Sequence, residues 1–247
     1  MRLDRALADR GLARSRTHAA RLIRDGKVLV DGQIATRASQ AVTSDSVLAA
    51  EAEAWVSRAA HKLLGALEDS ATAVPRRVLD AGASTGGFTQ VCLEWGANRV
   101  YAVDVGHDQL DDSLRRDSRV VVREGLNLRD LSLDDLDGEP VEMIVGDVSF
   151  ISLRLLLKPL RDVLSPGGIA LLLVKPQFEV GRALLESGGV VRDPERQREA
   201  VDAVIAEATS LGMRCEWRGR SCLPGINGNL EFFIRLRAPE QNLPGTR

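Results

Sequence analysis

The chain has 247 residues, of which 44% are hydrophobic and 28% are charged. These proportions are typical of a folded globular protein and exclude bulk disorder and a fibrous repeat. Cys92, Cys215 and Cys222 form no C-x-x-C pair, which excludes a cysteine-rich zinc module and favours a reducing compartment. The longest mostly apolar run, at 169–174, is far shorter than the roughly 20 residues of a membrane helix, and no apolar signal core opens the chain. We therefore expect a cytoplasmic protein without a membrane partner.

The charge is unevenly distributed, although the net charge is only -2. Residues 1–50 contain nine Lys and Arg against five Asp and Glu, giving +4, whereas residues 51–247 contain 24 against 30, giving -6. A basic segment joined to an acidic body is typical of a nucleic-acid-binding module linked to another domain. Charge alone does not separate this interpretation from chance.

The first 50 residues predict two short helices and a small β structure. Apolar residues at 3, 7 and 12, and at 19, 22 and 23, follow helical spacing, and Ser15 is a candidate N-cap of the second helix. A strand at 27–30 leads into Asp31-Gly32, a strong hairpin-turn signal, and residues 41–53 predict a closing strand and a linker. Basic residues surround the helix pair: Arg10, Arg14, Arg16, Arg21, Arg24 and Lys27.

From Pro75 onward, apolar strands alternate with amphipathic helices, which predicts an α/β fold with a mostly parallel seven-stranded sheet. The predicted strands are 77–80, 99–105, 120–123, 141–148, 169–175, 213–218 and 230–237. The predicted helices are 87–95, 109–116, 153–163 and 194–211. The last two strands are joined by a short connection, which favours an antiparallel hairpin at the sheet edge.

The segment from Val78 to Phe88 carries a glycine-rich turn between a buried strand and a helix. Such a turn lets a ligand approach the backbone, and Asp104, at the end of the next strand, could accept the hydroxyls of a ribose. Four interpretations remain open: a dinucleotide site, a hydrolase nucleophile elbow, an S-adenosylmethionine site and a turn that only packs. Ser84 replaces the second glycine of the dinucleotide pattern, and no histidine follows His107 to complete a hydrolase triad.

Four later motifs closely resemble the TlyA family: Gly82-Ala-Ser-Thr-Gly-Gly-Phe88, Asp147-Val-Ser-Phe-Ile-Ser152, Val174-Lys-Pro-Gln-Phe-Glu179 and Gly188-Gly-Val-Val-Arg-Asp-Pro194. That family comprises S-adenosylmethionine-dependent ribosomal RNA 2′-O-methyltransferases, often mislabelled as hemolysins. The resemblance implies a Rossmann-like methyltransferase domain at 61–247, a linker at 53–60 and an α+β RNA-binding domain of the ribosomal-protein αL type at 1–52. Glu53-Ala-Trp-Val56 matches the family's linker only weakly.

The resemblance also implies site residues, because the family's methyltransferase core is similar to that of FtsJ-type enzymes with a Lys-Asp-Lys-Glu tetrad. The matching catalytic positions are Lys62, Asp147, Lys175 and Glu231. The implied cofactor-binding residues are Asp80, Gly82, Ala83, Ser84, Gly86, Phe88, Asp104, Asn127, Leu128 and Asp147, and Arg14, Arg16, Arg21 and Lys27 are expected to contact RNA phosphates. The expected partner is cytidine-containing ribosomal RNA of the small subunit, the large subunit or both, rather than DNA, and no metal cluster is expected.

Chemistry supports part of this set independently of the family. Asp147 and Lys175 end adjacent strands, where α/β proteins build their sites. Lys175 is the candidate general base for a ribose hydroxyl, but free lysine has a pKa of about 10.4, so the role requires burial or a second cation such as Lys62. Two alternatives stay open, a pore-forming hemolysin and a non-catalytic RNA-binding factor of ribosome assembly.

Overall fold

The computed structural model describes residues 1–13, 16–51, 55–181 and 189–240. The chain forms two compact units, Met1–Ala54 and Trp55–Arg247. The predictions for Arg14, Ser15, residues 53–54 and Gly188 lie outside the described residues. The domain limits 1–52, 53–60 and 61–247 stay a prediction.

The first unit is a helix pair packed on a small antiparallel sheet. Helices α1 (Leu3–Asp9) and α2 (Arg16–Arg24) precede strands β1 (Val28–Val30), β2 (Gln33–Ile34) and β3 (Leu48–Ala50), in the order β2-β1-β3. Asp31 and Gly32 have φ values of 51° and 81°, the left-handed geometry that a tight hairpin turn requires. The predicted helices and hairpin are therefore confirmed, and apolar side chains such as Leu3, Leu7 and Leu22 form the buried core.

The second unit contains the predicted seven-stranded sheet. Its strands are β4 (Arg77–Ala81), β5 (Arg99–Asp104), β6 (Val120–Glu124), β7 (Val141–Gly146), β8 (Leu164–Val174), β9 (Arg214–Arg220) and β10 (Phe232–Arg237), ordered β6-β5-β4-β7-β8-β10-β9. The first five of these strands are parallel, and β10 pairs antiparallel with both β8 and β9. The mostly parallel sheet and its edge hairpin are thus confirmed.

Six α-helices accompany the sheet among the described residues: α3 (Ala59–Asp69), α4 (Gly87–Glu94), α5 (Asp112–Arg115), α6 (Leu157–Asp162), α7 (Pro176–Glu179) and α8 (Pro194–Ser210). Short 3-10 turns span Leu128–Asp130, Leu133–Leu136 and Leu153–Leu155. The helix predicted at 109–116 is shorter than expected, because the carboxylate of Asp111 caps the backbone N–H of Ser113 and the helix begins at Asp112. The sequence reasoning did not predict α3, which carries Lys62.

The sheet is buried on both faces, because neighbouring residues of each central strand point into different cores. In β4, Leu79 belongs to one core with Ile144, while Val78 belongs to the other with Met143. Burying each such side chain stabilises the fold by about 1.5–3 kcal/mol. This packing fixes the strands, and therefore fixes the positions of the residues that follow their carboxyl ends.

Candidate active site

A cavity of about 740 Å³ lies at the carboxyl edge of the sheet in the second unit. Its lining brings together the turn after β4, the loop after β7, the turn after β8, helix α3 and the segment before β10. The predicted site residues in its wall are Lys62, Gly82, Ala83, Ser84, Phe88, Asp147, Lys175 and Glu231. The structure thus joins residues that are separated by up to 169 positions in the sequence.

The glycine turn fits closely against the loop after β7. Gly82 has φ +84°, and a Cβ there would lie 3.2 Å from the backbone oxygen of Asp147. Gly86, at φ +92°, is the left-handed N-cap of α4, and its Cβ would lie 2.3 Å from Leu114 Cδ1. Glycine is required at both positions because of both backbone conformation and space. The two glycines therefore let the turn pack tightly against the loop after β7 and against Leu114.

Asp104 lies next to this turn at the end of β5. Its Oδ2 accepts a hydrogen bond from the backbone N–H of Ser84 at 2.8 Å, and its Oδ1 accepts one from Gly106 N–H at 2.7 Å. Asn127 caps the 3-10 turn that contains Leu128, which is buried in the core. Asp104, Asn127 and Leu128 share the carboxyl edge of the sheet but do not line the cavity.

Asp80 lies beneath the glycine turn and is fully buried. Its Oδ2 accepts a hydrogen bond from Thr89 Oγ1 at 2.6 Å, whereas its buried Oδ1 has no partner among the described residues. Burial raises the pKa of this carboxyl group to about 7, against the opposing effect of the Thr89 hydrogen bonds. Asp80 is therefore a buried acid that has no cationic partner in the part of the chain that the structure describes.

Lys62 and Glu231 form one of two lysine–carboxylate pairs at the cavity. Helix α3 presents Lys62, and Glu231 immediately precedes β10; their side chains are 8% and 3% exposed. Lys62 Nζ donates a hydrogen bond to Glu231 Oε2 at 2.5 Å. Since both charges are almost fully removed from water, each depends on the other for compensation.

Lys175 and Asp147 form the second pair, with a different geometry. Lys175 Nζ lies 2.5 Å from Asp147 Oδ1 and forms an ion pair with it. The angles of this contact are not those of a hydrogen bond, and Oδ1 has no hydrogen-bond partner among the described residues. The amine instead donates a hydrogen bond to Ser149 Oγ at 2.7 Å. The second lysine is therefore held by a charge on one side and a hydroxyl on another.

The loop after β7 is also fixed at its far end. Glu179, in α7, accepts hydrogen bonds from Ser152 Oγ at 2.6 Å and from Leu153 N–H at 2.7 Å. Burial raises the pKa of the Glu179 carboxyl group, although the two hydrogen bonds oppose that shift. The motifs at 147–152 and 174–179 are thus joined at both ends.

The aromatic residues near the site separate into two groups. Phe88 is buried and packs on Phe233 with ring centroids 6.1 Å apart, while Phe232 packs against a core. Phe150 is 92% exposed, and its ring lies 5.5 Å from that of Phe178 at the cavity wall. Phe150 and Phe178 are therefore the aromatic rings of this set that remain available to a bound base.

In the first unit, a buried carboxylate organises part of the basic surface. Asp4 accepts two hydrogen bonds from the guanidinium of Arg2 at 3.0 Å and one from Arg16 at 3.3 Å. These contacts, with Arg2 as the largest influence, lower the pKa of the Asp4 carboxyl group to about 2. Arg21 belongs to α2, and Lys27 lies in the turn before β1.

Sequence reasoning missed three polar residues that support the site: Ser149, Thr89 and Glu179. Ser149 and Glu179 lie inside motifs that had been recognised, so their positions were visible but their contacts were not. The helix that presents Lys62 had a usable signal, because Ala60, Leu63 and Leu67 are spaced as one helical face and all three are buried.

The order of the seven strands, together with the cavity beside the turn after β4, defines the class of protein, a Rossmann-like methyltransferase. Comparison with known protein families supports this class. The model of the FtsJ-like methyltransferase family matches residues 55–238, and that of the S4 domain matches residues 1–48. The chain belongs to the FtsJ-like methyltransferase family and carries an S4 domain at its amino-terminal end.

Individual relatives cover nearly the whole chain. The 16S/23S rRNA (cytidine-2'-O)-methyltransferase TlyA of Mycobacterium tuberculosis is 49% identical over 96% of this chain and 89% of its own length. Hemolysin A of Brachyspira hyodysenteriae is 36% identical over 96% of this chain and 99% of its own. The solved structure of a candidate hemolysin from Streptococcus thermophilus is 36% identical, with a TM-score of 0.77 over 97% of this chain and 89% of that chain.

Two of these relatives are named as hemolysins, and a helix must be long and apolar to cross a membrane. Within the ranges that the structure describes, no helix combines the length and the apolar character needed to cross a membrane.

Proposed function

We propose that this methyltransferase transfers a methyl group from S-adenosylmethionine to the 2′-oxygen of a cytidine in ribosomal RNA, in the small subunit, the large subunit or both. The observation that carries the proposal is the placement of Lys175, with Asp147, in the same cavity wall as the glycine turn. The relative from Mycobacterium tuberculosis, whose name states this reaction, supports the choice of substrate.

The residues of the turn fit a nucleoside cofactor with a charged amino-acid end. Gly82 lines the cavity, and its lack of a Cβ lets the turn pack closely against the loop after β7, which holds the two together at the cavity wall. Asp104 has a carboxylate with two acceptor oxygens beside the turn, which suits the hydroxyls of a ribose. The carboxyl group of Asp80 is buried beneath the turn, where a positive charge nearby would favour its ionised form. Asn127 and Leu128 are positioned on the same edge for the base.

Each charged residue of the cavity has a distinct task in this proposal. When bound, S-adenosylmethionine supplies an electrophilic methyl group on a positively charged sulfur that leaves as a neutral thioether. Lys175, in its neutral form, accepts the proton that the attacking 2′-hydroxyl loses. Asp147 places a negative charge beside the amine and stabilises it once it is protonated. Lys62 contributes a positive charge that Glu231 holds in place.

The S4 domain supplies RNA affinity through phosphate contacts, in which Arg16, Arg21 and Lys27 take part. Such contacts position the protein on folded RNA without reading its sequence. Phe150, which is exposed at the cavity wall, is available to stack on a base that has been turned out of the helix.

The test is methyl transfer with purified protein. Ribosomal subunits that lack the modification are incubated with S-adenosylmethionine carrying a labelled methyl group, and cofactor binding is measured separately by isothermal titration. We expect label in ribosomal RNA at 2′-oxygens. Label on bases or in protein, or tight RNA binding without any label, would contradict the proposal, and the latter result would support a non-catalytic assembly factor.

The hemolysin alternative is tested on the same preparation. Dye-loaded liposomes are mixed with wild-type protein and with a Lys175→Ala variant. The proposal predicts no leakage from either, whereas leakage from both would favour a pore-forming activity that is independent of the cavity.

A further inference from the structure

Ser149 is the side chain that gives the Lys175 amine a direction. Lys175 Nζ donates a hydrogen bond of 2.7 Å to Ser149 Oγ, and among the described side chains this is the contact of the amine that has hydrogen-bond geometry. The contact with Asp147 Oδ1 is shorter, at 2.5 Å, but is an electrostatic contact without hydrogen-bond angles. Asp147 therefore supplies charge, and Ser149 supplies orientation.

The backbone beside Ser149 is held in an unusual conformation. Phe150 has φ 66°, which is costly for a bulky residue and persists only where the surroundings hold it in place. Here the surroundings include the ring of Phe178, which lies against Phe150. They also include Glu179, which accepts hydrogen bonds from Ser152 and Leu153, two and three residues after Phe150. These contacts fix the loop on the carboxyl-terminal side of Ser149, whose hydroxyl lies at the amine.

The consequence concerns the lone pair of the neutral amine. A neutral lysine has two N–H bonds and one lone pair, and rotation about the Cε–Nζ bond decides where the lone pair points. Donation of one N–H to Ser149 stops that rotation, and the carboxylate of Asp147 repels the lone pair and attracts the second N–H. The lone pair is left in the remaining direction, which points toward neither Ser149 nor Asp147. Lys175 itself lines the cavity.

We propose that Ser149 is a positioning residue for methyl transfer, which aims the lone pair of Lys175 at the substrate hydroxyl. This inference rests on the proposed function, because it assumes that Lys175 is the base. Ser149 takes no proton itself: the proton of the 2′-hydroxyl goes to Lys175 Nζ as the new oxygen–carbon bond forms.

Three variants of the full chain test the role. Ser149→Ala removes the acceptor, Ser149→Thr keeps a hydroxyl, and Ser118→Ala is the matched control at an exposed serine that does not line the cavity. We expect Ser149→Ala to lower kcat about tenfold to a hundredfold, a part of the roughly 10²–10⁴-fold that a positioned base contributes. KM for RNA and Kd for S-adenosylmethionine should stay within about twofold, Ser149→Thr should recover most of kcat, and Ser118→Ala should match the wild type.

The pH profile separates orientation from a general loss of structure. Ser149 accepts from the charged amine, so its removal disfavours the ammonium form. The other charged side chains of the cavity wall, Arg58, Lys62, Asp147 and Glu231, are unchanged. We therefore expect the rising limb of kcat against pH to move to lower pH in Ser149→Ala, while the plateau falls. A loop that had merely become disordered would lower the plateau and raise KM without this shift.

A second measurement does not depend on turnover. Proton exchange of the Lys175 ammonium group is followed by NMR of ¹⁵N-lysine-labelled protein without substrates, with the signal assigned by its loss in Lys175→Met. The inference predicts faster exchange in Ser149→Ala and wild-type exchange in Ser149→Thr. Wild-type kcat and exchange in Ser149→Ala, or equal losses in Ala and Thr variants, would overturn it. Absence of methyl transfer by the wild-type protein would instead overturn the proposed function, and the exchange rates would still decide the role of Ser149.

Discussion

The two lysine–carboxylate pairs of the cavity contain the same chemical groups but are built differently. Lys62 and Glu231 are both buried and share a directed hydrogen bond, so the pair forms a closed unit. Lys175 is instead held by two groups, an ion pair with Asp147 and a hydrogen bond to the hydroxyl of Ser149, so the direction of its hydrogen bond is set by a neutral acceptor. The comparison teaches that burial and pairing alone do not identify the reactive lysine; the geometry of the pairing does.

Replacing Lys175 should have the largest effect on catalysis. We expect Lys175→Ala to lower kcat by at least about 10²–10⁴-fold, since a positioned base contributes that much. Because the proposed cofactor contacts are made by Asp104 and the glycine turn rather than by Lys175, Kd for S-adenosylmethionine should change by less than about threefold. Single-turnover transfer and isothermal titration measure the two quantities.

Lys158→Ala is the matched control for that prediction, because Lys158 is an exposed lysine of α6 that pairs with Asp162 at 2.5 Å. It should behave as the wild type. Turnover of Lys175→Ala close to the wild-type rate would remove the distinction between the two pairs.

Breaking the closed pair should chiefly affect stability. Lys62→Met leaves Glu231 buried without a counter-charge, and removal of one partner of a buried pair costs about 3–5 kcal/mol. We expect the double variant Lys62→Met/Glu231→Leu to recover most of the free energy of unfolding but not methyl transfer. Urea denaturation measures the first and labelled-methyl transfer the second. Full activity in the stable double variant would show that this pair has no role in the reaction.

Asp80 extends the comparison to a buried carboxylate without any lysine. Its pKa is raised to about 7 by burial, so between about pH 4 and pH 7 the folded state binds a proton that the unfolded state has lost. The free energy of unfolding therefore falls as the pH rises through this window. We expect the wild type to lose about 2–3 kcal/mol more than Asp80→Asn between pH 5 and pH 8. Parallel stability curves for the two proteins would contradict the buried-acid assignment.

The smallest effect is expected in the S4 domain. Arg16 is exposed apart from its contact with Asp4, so Arg16→Ala should weaken RNA binding only a few-fold and reduce the slope of log K against log salt by about one. Arg198→Ala, at an exposed arginine of α8, is the control and should leave the slope unchanged. Equal slopes for both variants would exclude Arg16 from the phosphate contacts.

Much of the fold was accessible from the sequence, for reasons visible in individual elements. The central strands are buried on both faces, so consecutive apolar residues stand at 78–79 and 143–145, and Asp31-Gly32 marks a hairpin because few other residues tolerate its left-handed turn. Helix α3 carried a signal in the spacing of Ala60, Leu63 and Leu67, but the residues between them include Lys62, which is polar and lines the cavity.

The site was less accessible than the fold. The resemblance to the TlyA family implied Lys62, Asp147, Lys175 and Glu231 as site residues, but nothing in the sequence tells which lysine pairs with which carboxylate. The partner of Lys62 lies 169 residues away, and the pairing follows from the antiparallel return of β10 beside β8. The hydroxyl of Ser149 could not be distinguished from the other serines of its motif, because its role depends on the left-handed conformation of Phe150.

The central claim is that Lys175 prepares a ribose hydroxyl for methylation. It is tested most directly by mass-spectrometric mapping of 2′-O-methyl groups in ribosomal RNA from cells that lack this protein and are complemented with the wild type or with Lys175→Ala. The account predicts at least one 2′-O-methylcytidine that appears with the wild type and is absent with the variant. The same methylated positions in both strains, or methylation on a base instead of a ribose, would contradict it.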